Sequence, residues 1–205
     1  MNEVLGVVSL AIALVSYSIY ITHTIKGSTK PHAVTWLIWA LLNGFVFFEQ
    51  LSVEAGPGAW VTAAASAANF VIFFLALVKG ERSITKLDWT CFALTLVLLF
   101  SWASINNPTI SVFLAVVIFM IGFIPTLRKS MRNAHEETVV TYVLNGLKFF
   151  IALTALTTIS VASVLYPLVI GTVNLAFALY LLVARRHQKK HTGKGRHGTK
   201  STRRR

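Results

Sequence analysis

Few residues in this chain could do chemistry, and most of those sit where polar groups are expensive. Asn69 lies in the apolar run Ala67-Ala68-Asn69-Phe70-Val71-Ile72, and Asn174 lies 105 residues later in Thr172-Val173-Asn174-Leu175-Ala176-Phe177. Asn43 and Asn145 are two further amides in apolar surroundings, and Lys148 stands between Leu147 and Phe149. An amide in hydrocarbon costs several kcal/mol unless it is hydrogen-bonded, and a lysine midway along a membrane helix costs about 2.5 to 3.5 kcal/mol on insertion scales. Such groups recognise a polar solute; they do not by themselves break bonds.

Two readings of the amides are open: contact with a solute in a membrane pathway, or hydrogen bonds that hold one helix to the next. Lys148 has the same two sides, a site for an anionic group or a charge-coupled step against a structural pair with a carboxylate such as Glu49. There is no P-loop, Gly-rich dinucleotide turn, Ser-centred elbow or paired metal motif, so no enzyme, cofactor or metal site is expected. His187 and His191 are four apart in a Gly- and Lys-rich tail without a third ligand, and His23, His32 and His135 lie near loops where solvation is the default.

These side chains must be positioned by helices that cross a bilayer. The 205 residues are 55% hydrophobic and 13% charged, with mean hydropathy +0.68, which describes an all-α integral membrane protein. Apolar runs of spanning length occur at about 4–25, 33–53, 58–78, 87–104, 108–127, 138–160 and 163–184, giving seven transmembrane helices. Turn chemistry separates them at 27–31, 56–58, 80–83 and 106–108, and Ser28 or Thr29 is placed to cap the second helix. Pro125 removes a helical hydrogen bond in the fifth helix, which makes it a candidate hinge or a fixed kink. Trp36, Trp39 and Tyr142 fall in first turns, where aromatics anchor helices at the interface. The small residues 63–68 give the third helix a narrow waist for packing.

Charge sets the expected orientation. The net charge is +12, but ten of the nineteen basic residues lie in 185–205, and without that tail the body carries +2. Lys and Arg otherwise concentrate in 26–32, 79–86 and 128–132, whereas the intervening loops have none. The positive-inside rule then places the N-terminus outside and the C-terminus in the cytoplasm of a cell (inner) membrane. The tail reads as disordered, touching anionic lipid and fixing topology, with no nucleic-acid partner expected. Met1-Asn2-Glu3 lacks the basic start of a signal peptide, so the first helix is expected to be retained. Cys91 is the lone cysteine and forms no internal disulfide.

The chain repeats itself. An offset of 106 lays Ala33-Val34-Thr35-Trp36 on Val139-Val140-Thr141-Tyr142, and an offset of 105 lays Asn69 on Asn174. This predicts a 3+1+3 arrangement: a three-helix bundle in 1–80, a linker helix in 81–106, a second bundle in 107–184 and the tail. An odd linker helix gives both bundles the same orientation, a parallel repeat.

With its paired asparagines and with Pro125-Thr126 at the second proline position, the body, 4–184, resembles the SWEET and PQ-loop superfamily of small-solute transporters, as an outlying member whose two copies lack the Pro-Gln pair. The resemblance implies alternating access of a sugar-like solute at a midplane site where Asn69 and Asn174 face each other. A non-transporting membrane receptor or assembly factor, displaying its loops and tail, is the alternative, and homo-oligomers are open in either case.

Overall fold

The computed structural model describes the backbone of residues 2–52, 58–105, 107–154 and 159–198 and the side chains of 4–48, 62–105, 107–154, 159–161 and 163–188. The described residues form seven α-helices and no strand: α1 (Asn2–Ile25), α2 (Ala33–Ser52), α3 (Gly58–Lys79), α4 (Lys86–Trp102), α5 (Pro108–Arg132), α6 (Val139–Thr154) and α7 (Val161–Gly198), with a single 3-10 turn at Ala134–Glu136. Four stretches are long and apolar enough to cross a membrane: Val4–Ile25, Thr62–Lys79, Pro108–Arg132 and Ser163–Gln188. Ala33–Phe48 and Val139–Thr154 are shorter apolar helices.

Local chemistry explains the helix ends. Gly27, at φ +75°, turns the chain after α1 so that the amides of Ser28 and Thr29 both reach the His23 carbonyl. Neither of those residues caps α2, contrary to the expectation from the sequence. The Ser28 hydroxyl donates to His23 O, Thr29 Oγ1 pairs with Thr138 Oγ1, and the first α2 bond runs from Trp36 N to His32 O. At α4 the Asp88 carboxylate accepts from both the amide and the hydroxyl of Thr85. At α5 Asn107 accepts from the amides of Thr109 and Ile110 behind Pro108.

Six helices close into a ring, each packed on the next in the order α1, α3, α2, α5, α7, α6 and back to α1, while α4 lies outside against α5 and α2. Small residues and hydroxyls make these crossings. Ser66 donates to the Ala40 carbonyl between α3 and α2, and Ser16 donates to the Thr141 carbonyl between α1 and α6. Thr126 donates to Thr35 Oγ1 between α5 and α2. At Gly122 a Cβ would stand 2.6 Å from Ile38 Cγ2, and at Gly146 one would stand 2.5 Å from Leu175 Cδ2, so the backbones of α5 and α6 approach their neighbours at glycine.

One end of the bundle gathers the charges. Lys30 pairs with Glu136 at 2.6 Å, the Glu81 amide reaches the Pro31 carbonyl, Arg132 donates to Ser83 Oγ, and Gln188 accepts from the Ala134 amide. The α1–α2, α3–α4 and α5–α6 connections and the far part of α7 therefore share this charged end.

Two helix limits differ from the sequence reading, those of α5 and α7. α5 runs to Arg132 rather than stopping near 127, because Arg128 and Lys129 find carboxylates on neighbouring elements and need no loop. α6 is described only to Thr154. The helix α7 continues through Gly198, into the stretch read as a disordered tail: 184–190 holds good helix formers and no breaker, and Arg185 and Gln188 dock on the Ala134 turn.

Candidate functional site

The five polar residues singled out by type, Asn43, Asn69, Asn145, Lys148 and Asn174, all line one cavity of about 230 Å³. Six helices contribute to its wall. α2 supplies Trp36, Trp39, Asn43 and Val46; α6 supplies Asn145, Lys148, Phe149 and Ala152; Tyr17 and Phe119 come from α1 and α5. From α3 come Thr62, Ala65 and Asn69, and from α7 Tyr166, Pro167, Ile170 and Asn174. Asn69 lies at the middle of α3, and the other α3 and α7 residues lie in the half of their helices remote from the charged end. The cavity thus sits midway through the bundle and extends toward the uncharged end.

Two of the amides are held through their nitrogen and one through its oxygen. The Asn43 nitrogen donates to the Trp39 carbonyl at 2.7 Å and the Asn174 nitrogen to the Ile170 carbonyl at 2.8 Å, each one turn back on its own helix. Asn145 Oδ1 accepts from the Ser16 hydroxyl. Asn69 is buried, and its Oδ1 has no hydrogen-bond partner among the described residues. A buried acceptor left unmade costs about 1 to 3 kcal/mol, so this oxygen is a destabilising feature unless something in the cavity donates to it.

Lys148 is also buried. Its ammonium lies 5.1 Å from the Tyr17 ring centroid and 5.0 Å from that of Phe149, both lining residues. Aromatic faces attract a cation weakly, by about 0.5 to 2 kcal/mol, and supply no counter-charge. No carboxylate pairs with Lys148 among the described residues, and the side chain of Glu49, its expected partner, lies outside them.

The aromatic residues read as interface anchors are instead internal. Trp36, Trp39 and Tyr142 are all buried. Trp36 packs on Tyr20 at 4.6 Å with the rings tilted by 49°, Tyr142 meets Phe177 edge-on at 4.6 Å, and Trp39 lies parallel to Phe119 while its Nε1 donates to the Phe119 carbonyl. Position in a first turn fixes a residue's depth but not which way it faces, and these three face inward.

Beneath the cavity, toward the charged end, lies a closed polar layer that the sequence reading missed. The hydroxyls of Tyr20 and Tyr142 both donate to Glu137 Oε2, at 3.0 and 2.9 Å, and Lys129 Nζ pairs with Glu137 Oε1 at 2.5 Å. Lys129 also donates to the carbonyls of Lys30 and Glu136, and Arg185 to those of Ala134 and Glu137. Lys129, which the sequence places among the basic loop residues 128–132, and Glu137, eight residues on, are both buried.

A second cluster joins α4 to α5. Arg128 Nη2 is 2.8 Å from Asp88 Oδ2, and His32 Nε2 is 3.4 Å from the same oxygen. His32 is buried rather than solvated, and burial pushes its imidazole down to about 4, against the pull of Asp88 and with the help of Arg128. It is therefore neutral at pH 7. His135 is exposed.

Pro125 is buried in α5, which stays helical across it, and does not line the cavity. Pro167 does line it, inside α7, and is the proline that stands against the site.

In comparison with known proteins, no family model, curated protein or solved structure matches the chain.

Proposed function

We propose that this chain is a multi-pass membrane carrier that moves a small polar solute by alternating access between two three-helix bundles, α1–α3 and α5–α7, joined by α4. The observation that carries this reading is how the cavity is lined. At an offset of 105, Thr62, Ala65 and Asn69 correspond to Pro167, Ile170 and Asn174, and all six line it; at 106, Trp39, Asn43 and Val46 correspond to Asn145, Phe149 and Ala152, and these do as well.

The ring of contacts supports the same symmetry. Exchanging α1, α2 and α3 with α5, α6 and α7 turns each neighbour pair into another: α1 with α3 becomes α5 with α7, and α1 with α6 becomes α5 with α2. Thr35 and Thr141, 106 apart, both bond across to the first helix of the other bundle. Two bundles meeting at a polar midplane site is the arrangement from which rocking carriers are built. The resemblance to the SWEET and PQ-loop superfamily points the same way and adds a sugar-sized substrate. A cavity of 230 Å³ equals about eight waters at about 30 Å³ each, room for a solute of roughly eight to twelve non-hydrogen atoms.

By the positive-inside rule the charged end is cytoplasmic. The cavity then faces outward, with the Glu137 layer closing the inner side. The projection of α7 past the bundle, basic from Arg185 onward, favours a second reading in which that helix engages anionic lipid or a partner.

The test is flux. Purified protein reconstituted in sealed vesicles is expected to pass at least one labelled polar solute from a panel of sugars, hydroxy acids and amino acids, with saturation. Asn69→Leu removes the unpartnered oxygen, so it should leave thermal stability unchanged or raise it by about 1 kcal/mol while abolishing uptake. No flux of any solute through correctly inserted protein rejects the carrier and leaves the partner-binding reading.

A further inference from the structure

The cavity is symmetric in shape but not in charge. Lys148 has Leu42 as its counterpart at an offset of 106, whereas Asn145 facing Trp39 is balanced by Asn43 facing Phe149, so the charge belongs to α6 alone. On this wall the ammonium meets only the rings of Tyr17 and Phe149, and no described residue lining the cavity carries a negative charge. Glu137, Asp88 and Glu136 are all engaged at the charged end, by Lys129, Arg128 and Lys30. Two buried polar atoms on the cavity wall have no partner among the described residues, the acceptor Asn69 Oδ1 and the donor Trp36 Nε1.

Resting on the carrier reading, we infer that the solute is a small organic anion, a carboxylate bearing hydroxyl or amino donors, held with its carboxylate on Lys148 and its donors on the amide oxygens of Asn69 and Asn174. A neutral polyol satisfies the amides but leaves the ammonium with aromatic faces alone. A carboxylate satisfies both, and a charge-assisted hydrogen bond in a site screened from water is about twice as strong as a neutral one. The match is one cation to one anion. Asymmetry follows naturally: a carboxylated solute has one charged end, and a site with a lysine on one bundle only receives it in one orientation.

Two matched pairs of probes isolate the carboxylate, glycerate against glycerol and glucuronate against glucose, since each acid differs from its parent by a CH₂OH turned into a carboxylate. Thermal unfolding of the purified full chain, titrated with each probe at constant ionic strength, should show the acids binding at least about tenfold tighter than their parents, as expected for a hydrogen bond to a charged group. In Lys148→Gln that preference should vanish, and in Lys148→Arg it should persist. If Lys148→Gln does not purify as folded protein, the wild-type comparison and Lys148→Arg still decide.

Equal or tighter binding of glycerol and glucose overturns the inference, as does an acid preference that survives in Lys148→Gln. The first result is also what a counter-charge from Glu49 would produce. Were neutral sugars bound and carried across vesicles, the anion inference alone would fall; were no solute carried at all, the carrier reading would fall with it.

Discussion

At the scale of single residues, His32 ties pH to stability. Its side chain is fully buried between Asp88 and Arg128, and desolvation lowers its pKa to about 4 from 6.5. Between those values the unfolded chain binds a proton that the folded chain refuses, so stability is constant above pH 6.5 and falls as pH drops toward 4. By pH 5 the loss amounts to about 2 kcal/mol. Unfolding temperatures at pH 7.5 and pH 5 should therefore differ more in the wild type than in His32→Gln, which has no imidazole to protonate; equal slopes would remove His32 as the cause. This residue shows the limit of reading side chains from neighbours in sequence. Flanked by Lys30, Pro31 and a helix start, His32 has the surroundings of a solvated loop residue, and its burial comes from α4 and α5, which are distant in the chain. The four amides and Lys148 were legible because a polar group inside an apolar run stands out whatever the fold. Trp36, Trp39, Phe119 and Tyr166, which complete the cavity wall, carry no such signal: an aromatic is equally at home against lipid, core or ligand.

At the scale of elements, apolar run length and turn chemistry locate all seven helices. What they do not locate is how closely two helices approach. Gly122 lets α5 lie on Ile38 of α2, at one of the two seams where helices of different bundles meet in the proposed arrangement. A valine there places a branched side chain where even a Cβ stands 2.6 Å from Ile38 Cγ2, and overpacking of that kind costs about 1 to 3 kcal/mol. Gly6, whose Cβ would meet nothing within 4 Å, is the control. Gly122→Val should unfold at lower temperature than wild type while Gly6→Val should not, as read by thermal unfolding in detergent. Equal behaviour of the two variants would mean that the α2–α5 seam is looser than its geometry implies. Helix ends were less legible than helix cores for an electrostatic reason. Arg128 and Lys129 read as the loop beyond α5, yet both remain in the helix because Asp88 and Glu137 receive them, and a carboxylate 40 residues away is invisible to local pattern.

At the scale of the whole molecule, the two sides of the cavity are built differently, and that difference is what a carrier would have to reverse. Toward the uncharged end the wall runs through Val46, Ala152, Thr62 and Tyr166, whereas toward the charged end Glu137 gathers Tyr20, Lys129 and Tyr142 from α1, α5 and α6 into one buried knot. In the proposed carrier, opening the charged end would require those three helices to part, so the strength of the knot would set the balance between the two faces. Removing one partner, as in Glu137→Leu, strands a buried ammonium and should cost about 3 to 5 kcal/mol. Removing both, in Lys129→Met with Glu137→Leu, should recover most of that loss, because buried ion pairs are often replaced by apolar residues at little net cost. The double variant is then expected to fold without the knot. A cysteine placed at Ala65, on the cavity wall, in a Cys91→Ser background reports which side is open. In the otherwise native protein an impermeant thiol reagent should modify it only from the uncharged side; in the double variant, modification from the charged side should appear and increase several-fold. Labelling confined to the uncharged side in both proteins would show that the knot holds the fold together without gating the cavity, and the barrier would then have to be sought in the apolar contacts between Tyr20 and Trp36 and between Tyr142 and Phe177.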